Sequence, residues 1–278
     1  IDVFRAQDVG YFFYIGGNDS MDTAKKVADL AHSEDYGLTA VGVPKTIDND
    51  VAGTNITFGF DTAMKIASEA IDKLHTTATS HHRIIICEIM GHNAGWLTLG
   101  AGLAGGADVI LIPELPYNLK AVAEHLQERR RNGKRFSIIA VAEGAFSDEE
   151  AEQLKKGDGK KDKEKEKRIV QEKDGVPYHL VQEPKASQLA RQLQQLTGIE
   201  ARVTSLGHVQ RGGAPTPTDR LLCTRFGTKA AELLAEGKYN VMVAIREGEC
   251  VAVPLKEVAG KKKLVPPDHP WIESARLV

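Results

Sequence analysis

Cysteine is scarce. Cys87, Cys223 and Cys250 are the only three in 278 residues, and they lie far apart with neither metal-ligand nor redox spacing. That excludes a disulfide framework and a cysteine-based zinc site. A reducing cytoplasm is therefore the expected compartment, and Cys87, inside the apolar run 84–89, reads as a small core residue. Neither sign of charge dominates: 36 Lys and Arg stand against 38 Asp and Glu, a net charge of −2. This gives no global pull toward nucleic acid or a membrane surface, and neither is expected as a partner. No apolar run approaches a membrane span, and the opening residues do not read as a signal peptide. What is present is a 42% hydrophobic composition, enough to bury the core of one large domain or two modest ones.

The pattern along the chain is strand and helix in alternation, which predicts an α/β fold of two lobes with mostly parallel sheets flanked by helices. Strands are expected at 9–15, 38–43, 83–89, 107–113, 136–142, 200–205 and 240–246. Helices are expected at 20–33, 59–75, 93–104, 118–131, 184–197 and 219–236. In the second helix Ala63, Ile66, Ala70, Ile71 and Leu74 recur at three- and four-residue steps, a one-sided apolar face. Asn118 and Gly198 serve as helix start and stop signals. Residues 155–168, KKGDGKKDKEKEKR, contain no apolar side chain. They sit within a charged insertion at 147–176 and read as a solvated loop or frayed helix, or as a basic lid over an anion.

Two segments concentrate the chemistry. Gly16-Gly17-Asn18-Asp19-Ser20 follows the apolar run 11–15 and precedes a helix. Missing Cβ atoms allow a ligand to touch the backbone there, and helix-start N–H groups favour an anion. PKTIDND at 44–50 follows the run 38–43, so both segments fall where strands end, the usual ligand edge of such sheets. If the heptapeptide is extended, Thr46, Asp48 and Asp50 share one face. The plainer reading is an Asn/Asp turn capping its own backbone.

These segments, with MGHNAGW at 90–96, GGADVILIPE at 105–114, VAEG at 141–144 and LGHVQRGG at 206–213, occur in the order found in phosphofructokinases, and the chain resembles the phosphofructokinase A family over nearly its whole length. The resemblance implies a magnesium-dependent transferase of glycolysis acting on fructose 6-phosphate. Asp48 corresponds to the base for the 1-hydroxyl, Thr46 to a phosphoryl contact, and Asp50 to electrostatic support near magnesium. Gly16, Gly17, Asn18, Asp19 and Lys45 correspond to the donor site, with Asn18 also a candidate metal ligand. Met90, Gly91, His92 and Glu143 correspond to substrate-binding positions. Arg83, Arg202, His208 and Arg211 correspond to the grip on the 6-phosphate, where guanidinium forks suit phosphate oxygens. The family takes the arginines matching Arg83 and Arg202 from the neighbouring subunit, so a homodimer or homotetramer with a shared substrate site is implied. The donor lobe is expected at 1–59 and 210–259, and the sugar-phosphate lobe at 60–209 and 260–278.

Asp19 and Lys45 bear on the donor. ATP-using relatives usually have glycine at both positions, and two like charges at ~4 Å cost about 4 kcal/mol at an effective dielectric near ~20. A carboxylate at 19 would repel the α-phosphate of ATP, while a lysine at 45 can meet a small inorganic anion. The chain is therefore expected to be of the pyrophosphate-dependent type, with ATP dependence or a non-catalytic regulatory subunit as alternatives. Asn18 stands where the family usually has aspartate, and His92 where it usually has arginine. The start at Ile1 without methionine, and the missing first Gly-rich turn and opening βα units of the family, lead us to expect a piece of a longer protein.

Overall fold

The computed structural model describes residues 1–155, 170–173, 176–179 and 183–277. The charged run, apart from Lys155, lies outside the described residues. Two compact units divide the chain: residues 1–66 with 208–265, and residues 67–207 with 266–278.

In the first unit, β1 (Tyr11–Gly16), β2 (Thr39–Thr46), β10 (Val241–Arg246) and β11 (Glu249–Pro254) form one sheet in that order, and the short β3 (Phe58–Gly59) pairs with β2. All neighbours run parallel except β11, which returns antiparallel beside β10. Period-two alternation assigns the two faces. Ala40, Met242 and Ala244 pack with Met21, Ala24 and Ala28 of α2 (Asn18–Ser33). Val41, Val43, Val243 and Ile245 pack with Leu222, Phe226, Ala230 and Leu233 of α8 (Pro217–Ala235). Strand β1 ends the strand order, and Tyr11, Phe13 and Ile15 on one of its faces stay 64%, 42% and 58% exposed. A five-residue helix, α1 (Asp2–Ala6), precedes it, with Phe4 against Phe12.

The second unit has a fully parallel sheet in the order β5 (Val109–Leu111), β6 (Ser137–Ala142), β4 (Ile84–Ile89), β9 (Ala201–Ser205). Strands β4 and β6 are buried at every position, as expected for a parallel sheet covered on both sides. One face packs on α5 (Leu119–Arg131) and α7 (Lys185–Thr197) through Ala123, Leu126, Leu189 and Leu193. Helix α4 (Trp96–Ala104) lies close enough for a Cβ at Gly102 to come 3.2 Å from Ala140. Cys87 is fully buried, and burial pushes its thiol up to about 12. A hairpin, β7 (Val170–Lys173) with β8 (Val176–His179), and α6 (Asp148–Lys155) precede α7. Short helices α9 (Leu255–Val258) and α10 (Pro270–Leu277) follow β11.

The expected α/β architecture holds, with boundary differences that have local causes. Asn118 caps α5 by accepting the Ala121 N–H, and Gly198 closes α7 in the left-handed region at φ 68°. Helix α3 (Phe60–His81) runs six residues past its expected end, because Ala78 continues the buried stripe below Leu74. Helix α4 starts at Trp96 rather than 93, since residues 91–94 close a turn through the Ala94 N–H to Gly91 O.

Candidate functional site

Register places the first two motifs side by side. Strands β1 and β2 pair with Gly16 opposite Pro44, so the Gly-Gly turn and PKTIDND leave the same end of the first sheet. A Cβ on Gly16 would come 2.0 Å from Ser20 Oγ, so glycine is required there. Gly17 is the extended N-cap of α2 and offers no side-chain cap; a Cβ there would lie 3.7 Å from Thr46 Cβ. Helix α2 begins at Asn18, two residues earlier than expected. Asp19 is exposed in its first turn, where a carboxylate complements the helix dipole regardless of any ligand. Lys45 is exposed at the end of β2, and Thr46 is half-buried.

The heptapeptide is not extended beyond Thr46, which corrects the one-face expectation for Thr46, Asp48 and Asp50. Asn49 adopts φ 53°, a left-handed conformation that asparagine tolerates, and this breaks the two-residue alternation. Thr46 Oγ1 accepts the Asp48 N–H at 3.1 Å. Asn49 Oδ1 accepts the Thr57 N–H at 3.1 Å, and Thr57 Oγ1 donates to Thr46 O at 2.8 Å. The plainer turn reading is thus realised in the backbone. Asp48 is half-buried, whereas Asn49 and Asp50 are 5% and 6% exposed.

Behind this turn stands Lys263, which the sequence reading missed because it closes a lysine run that looks solvated. Its Nζ donates to Asn49 Oδ1, Thr54 O and Asn55 O at 2.9, 3.0 and 2.8 Å. Burial lowers its pKa to about 7, opposed by the Asp50 carboxylate. Asn18 Nδ2 reaches Asp50 O at 3.4 Å, while Asn18 Oδ1 is buried without a hydrogen-bond partner. Such an orphaned carbonyl-type oxygen suits a hard cation. No cluster of three or more His, Cys, Asp and Glu side chains that could hold a metal occurs among the described residues. A magnesium ion held here would therefore rely on phosphate oxygens and water, as magnesium usually does.

His208 and Arg211 are exposed on the 3-10 helix Gly207–Arg211, before Asp219, the buried anchor of the same unit. Asp219 accepts the N–H groups of Gly59 and Thr62 at 2.9 and 2.8 Å. Thr216 caps α8 by accepting the Asp219 N–H and donates to Asp61. The starts of α3 and α8 hold each other across a long stretch of chain, a pairing with no local signal.

In the second unit three motifs interlock at the C-terminal ends of β4, β5 and β6. After β4 come half-buried Met90, Gly91 at φ 143° and exposed His92 at φ 51°. Glu143, just past β6, accepts the His92 N–H at 2.8 Å through Oε1. A Cβ on Gly144 would come 2.1 Å from His92 O, and one on Gly91 2.6 Å from Ala94 O. Glu114, beyond β5, accepts the Gly95 N–H through both oxygens at 2.9 and 3.0 Å.

Arg83 and Arg202 lie at the other end of this sheet. Arg83 Nε donates to Glu200 Oε2 at 2.7 Å, and Arg202 pairs with the second oxygen of Glu200. Their hydrogen bonds and charges, Arg83's bond foremost, hold the Glu200 carboxyl below the usual range. Strand β4 separates this arginine pair from Met90 and Glu143 by about 20 Å. The structure therefore brings Arg83 together with Arg202, and Met90, Gly91 and His92 together with Glu143, as two separate groups within the unit.

Comparison with known proteins accords with these motifs. The chain is 52% identical over 264 residues to an ATP-dependent 6-phosphofructokinase of Spirochaeta thermophila, covering 95% of this chain and 66% of that protein. It is 46% identical over 267 residues to a pyrophosphate--fructose 6-phosphate 1-phosphotransferase of Amycolatopsis methanolica, covering 96% of this chain and 72% of that protein. Among solved structures, pyrophosphate-dependent phosphofructokinase from Marinobacter aquaeolei superposes with a TM-score of 0.77 at 30% identity, over 96% of this chain and 64% of that one. The chain thus spans about two thirds of the length of curated relatives it matches. The phosphofructokinase family pattern matches residues 1–234, and with that span the chain belongs to the phosphofructokinase family.

Proposed function

We propose that the protein transfers a phosphoryl group to the 1-hydroxyl of fructose 6-phosphate, with pyrophosphate as donor and in a reversible reaction, giving fructose 1,6-bisphosphate and orthophosphate. The observation that supports the transfer is the tethered turn bearing half-buried Asp48, which leaves the same end of the sheet as the Gly-Gly entrance to α2. Asp48 takes the hydroxyl proton as the oxygen attacks phosphorus. Gly16, Gly17, Asp19 and Lys45 form the donor side, the Gly17 backbone and the start of α2 favouring an anion. A magnesium ion held through Asn18, with Asp50 as electrostatic support nearby, would supply charge neutralisation, and positioning provides most of the remaining catalysis.

The sugar phosphate is held by Met90, Gly91, His92 and Glu143, and its 6-phosphate by His208, Arg211, Arg83 and Arg202. The last two come from a neighbouring subunit in this reading. It is supported by their separation from Glu143 along β4 and by the pairing of both with Glu200. The functional molecule is then a homodimer or homotetramer. The first unit acts as the donor lobe and the second as the sugar-phosphate lobe.

Pyrophosphate is favoured by Asp19 and Lys45. A second reading, ATP as donor, is favoured by the naming of several relatives, the Spirochaeta thermophila protein among them, as ATP-dependent. Turnover of the full-length protein with magnesium and either donor decides between them. Faster turnover with pyrophosphate is expected, and faster turnover with ATP overturns the donor assignment. Asp19→Gly with Lys45→Gly should move the preference toward ATP by at least about tenfold, or about 1.4 kcal/mol. No movement would remove the charge argument.

A further inference from the structure

Lys263 gathers the turn that carries Asp48 from a distant part of the chain. Lys261 and Lys262 of the same run are exposed, while Lys263 is drawn inward. Its three ammonium donors meet three acceptors: the Asn49 side-chain oxygen and the carbonyls of Thr54 and Asn55. Its backbone N–H donates to Asp50 O at 2.8 Å, the same oxygen that Asn18 Nδ2 approaches. One residue therefore fastens positions 49, 50, 54 and 55 from a distant part of the chain.

We propose that Lys263 is a positioning residue for the transfer, holding Asn49 in its left-handed turn so that Asp48 and Asp50 keep their places on either side. This rests on the functional reading above. Asn49 Oδ1 takes two donors, the Thr57 N–H and Lys263 Nζ. Without Lys263 that oxygen loses its charged donor, and two backbone carbonyls lose theirs. Asparagine tolerates the left-handed region at modest cost, and these bonds select that conformation and fix the direction of the chain on either side of it.

The test uses Lys263→Met in the full-length protein, with Lys263→Gln, which keeps a neutral donor, should the first fail to fold. Turnover should fall at least about thirtyfold while KM for fructose 6-phosphate and donor stays within about threefold, the signature of a displaced reacting group. Backbone amide exchange over 46–57 should quicken at least about tenfold with the remainder unchanged. Turnover within about twofold of wild type, or a raised KM with turnover intact, overturns the proposal. If the wild type is inert with both donors, the functional reading itself has failed. Exchange then decides the clamp alone: unchanged exchange overturns it, and faster exchange supports it.

Discussion

Glu143 accepts the backbone N–H of His92 at 2.8 Å. A carboxylate matched to sugar binding thereby also shapes the neighbouring loop, which turns at left-handed His92. Glu143→Ala should lower kcat/KM for the sugar phosphate at least about tenfold, about 1.4 kcal/mol. Glu143→Gln keeps an acceptor for the N–H and should lose less. Equal losses in steady-state assays would assign the whole effect to charge. Gly144→Ala forces a Cβ against His92 O, and urea unfolding should register about 1–3 kcal/mol of destabilisation.

Arg83 and Arg202 share Glu200 on a part of the sheet remote from Glu143. If the substrate site is built by two subunits, Arg83→Ala and Glu143→Ala abolish different halves of it. Each variant alone should be nearly inactive. Co-expressed and co-assembled, they should regain activity, because mixed oligomers contain sites with both halves intact. Failure of complementation in demonstrated mixed oligomers would place both residues in one subunit's site.

Asp219 is 2% exposed and takes N–H groups from the start of α3 while belonging to α8. Asp219→Ala leaves buried donors unmatched and should cost about 3 kcal/mol. The urea midpoint should fall with little change in its slope. Thr216→Ala removes a helix cap and should cost about 1 kcal/mol.

Burial lowers Lys263 in the folded protein to about 7, well under its ordinary value of 10.5. Below pH 7 the residue is charged in both states and the burial penalty is present in full. Between pH 7 and 10.5 the unfolded chain binds more protons than the folded one, so this residue makes stability rise with pH. Urea midpoints at pH 6.5 and pH 9.5 should differ more for wild type than for Lys263→Met. The variant loses a clamp and also sheds a buried charge, so its melting temperature alone is a poor reporter.

Sheet and helix order was legible because apolar runs such as Ile84–Ile89 are bounded by turn residues and separated by helical periodicity. Strand β11 was not expected, since it returns antiparallel only two residues after β10 and reads as a continuation of it. The ligand-facing motifs were legible as blocks, but the shape of TIDND was not. Alternation presumes an extended backbone, and the left-handed turn at Asn49 is held by Thr57 and Lys263, which local pattern does not link to it. Asp219 and Lys263 act across the fold, and their partners lie 157 and 214 residues away in sequence.

The uncovered row of Tyr11, Phe13 and Ile15 on an end strand has a practical cost. For a protein of residues 1–278 alone, apolar-sensitive dyes should bind the native state at that margin, so fluorescence melts of that span begin from a bright baseline. Circular dichroism or calorimetry is the sounder gauge for ranking variants. A lysine at position 13, on the outward side, should dim that baseline while leaving the folded signal intact.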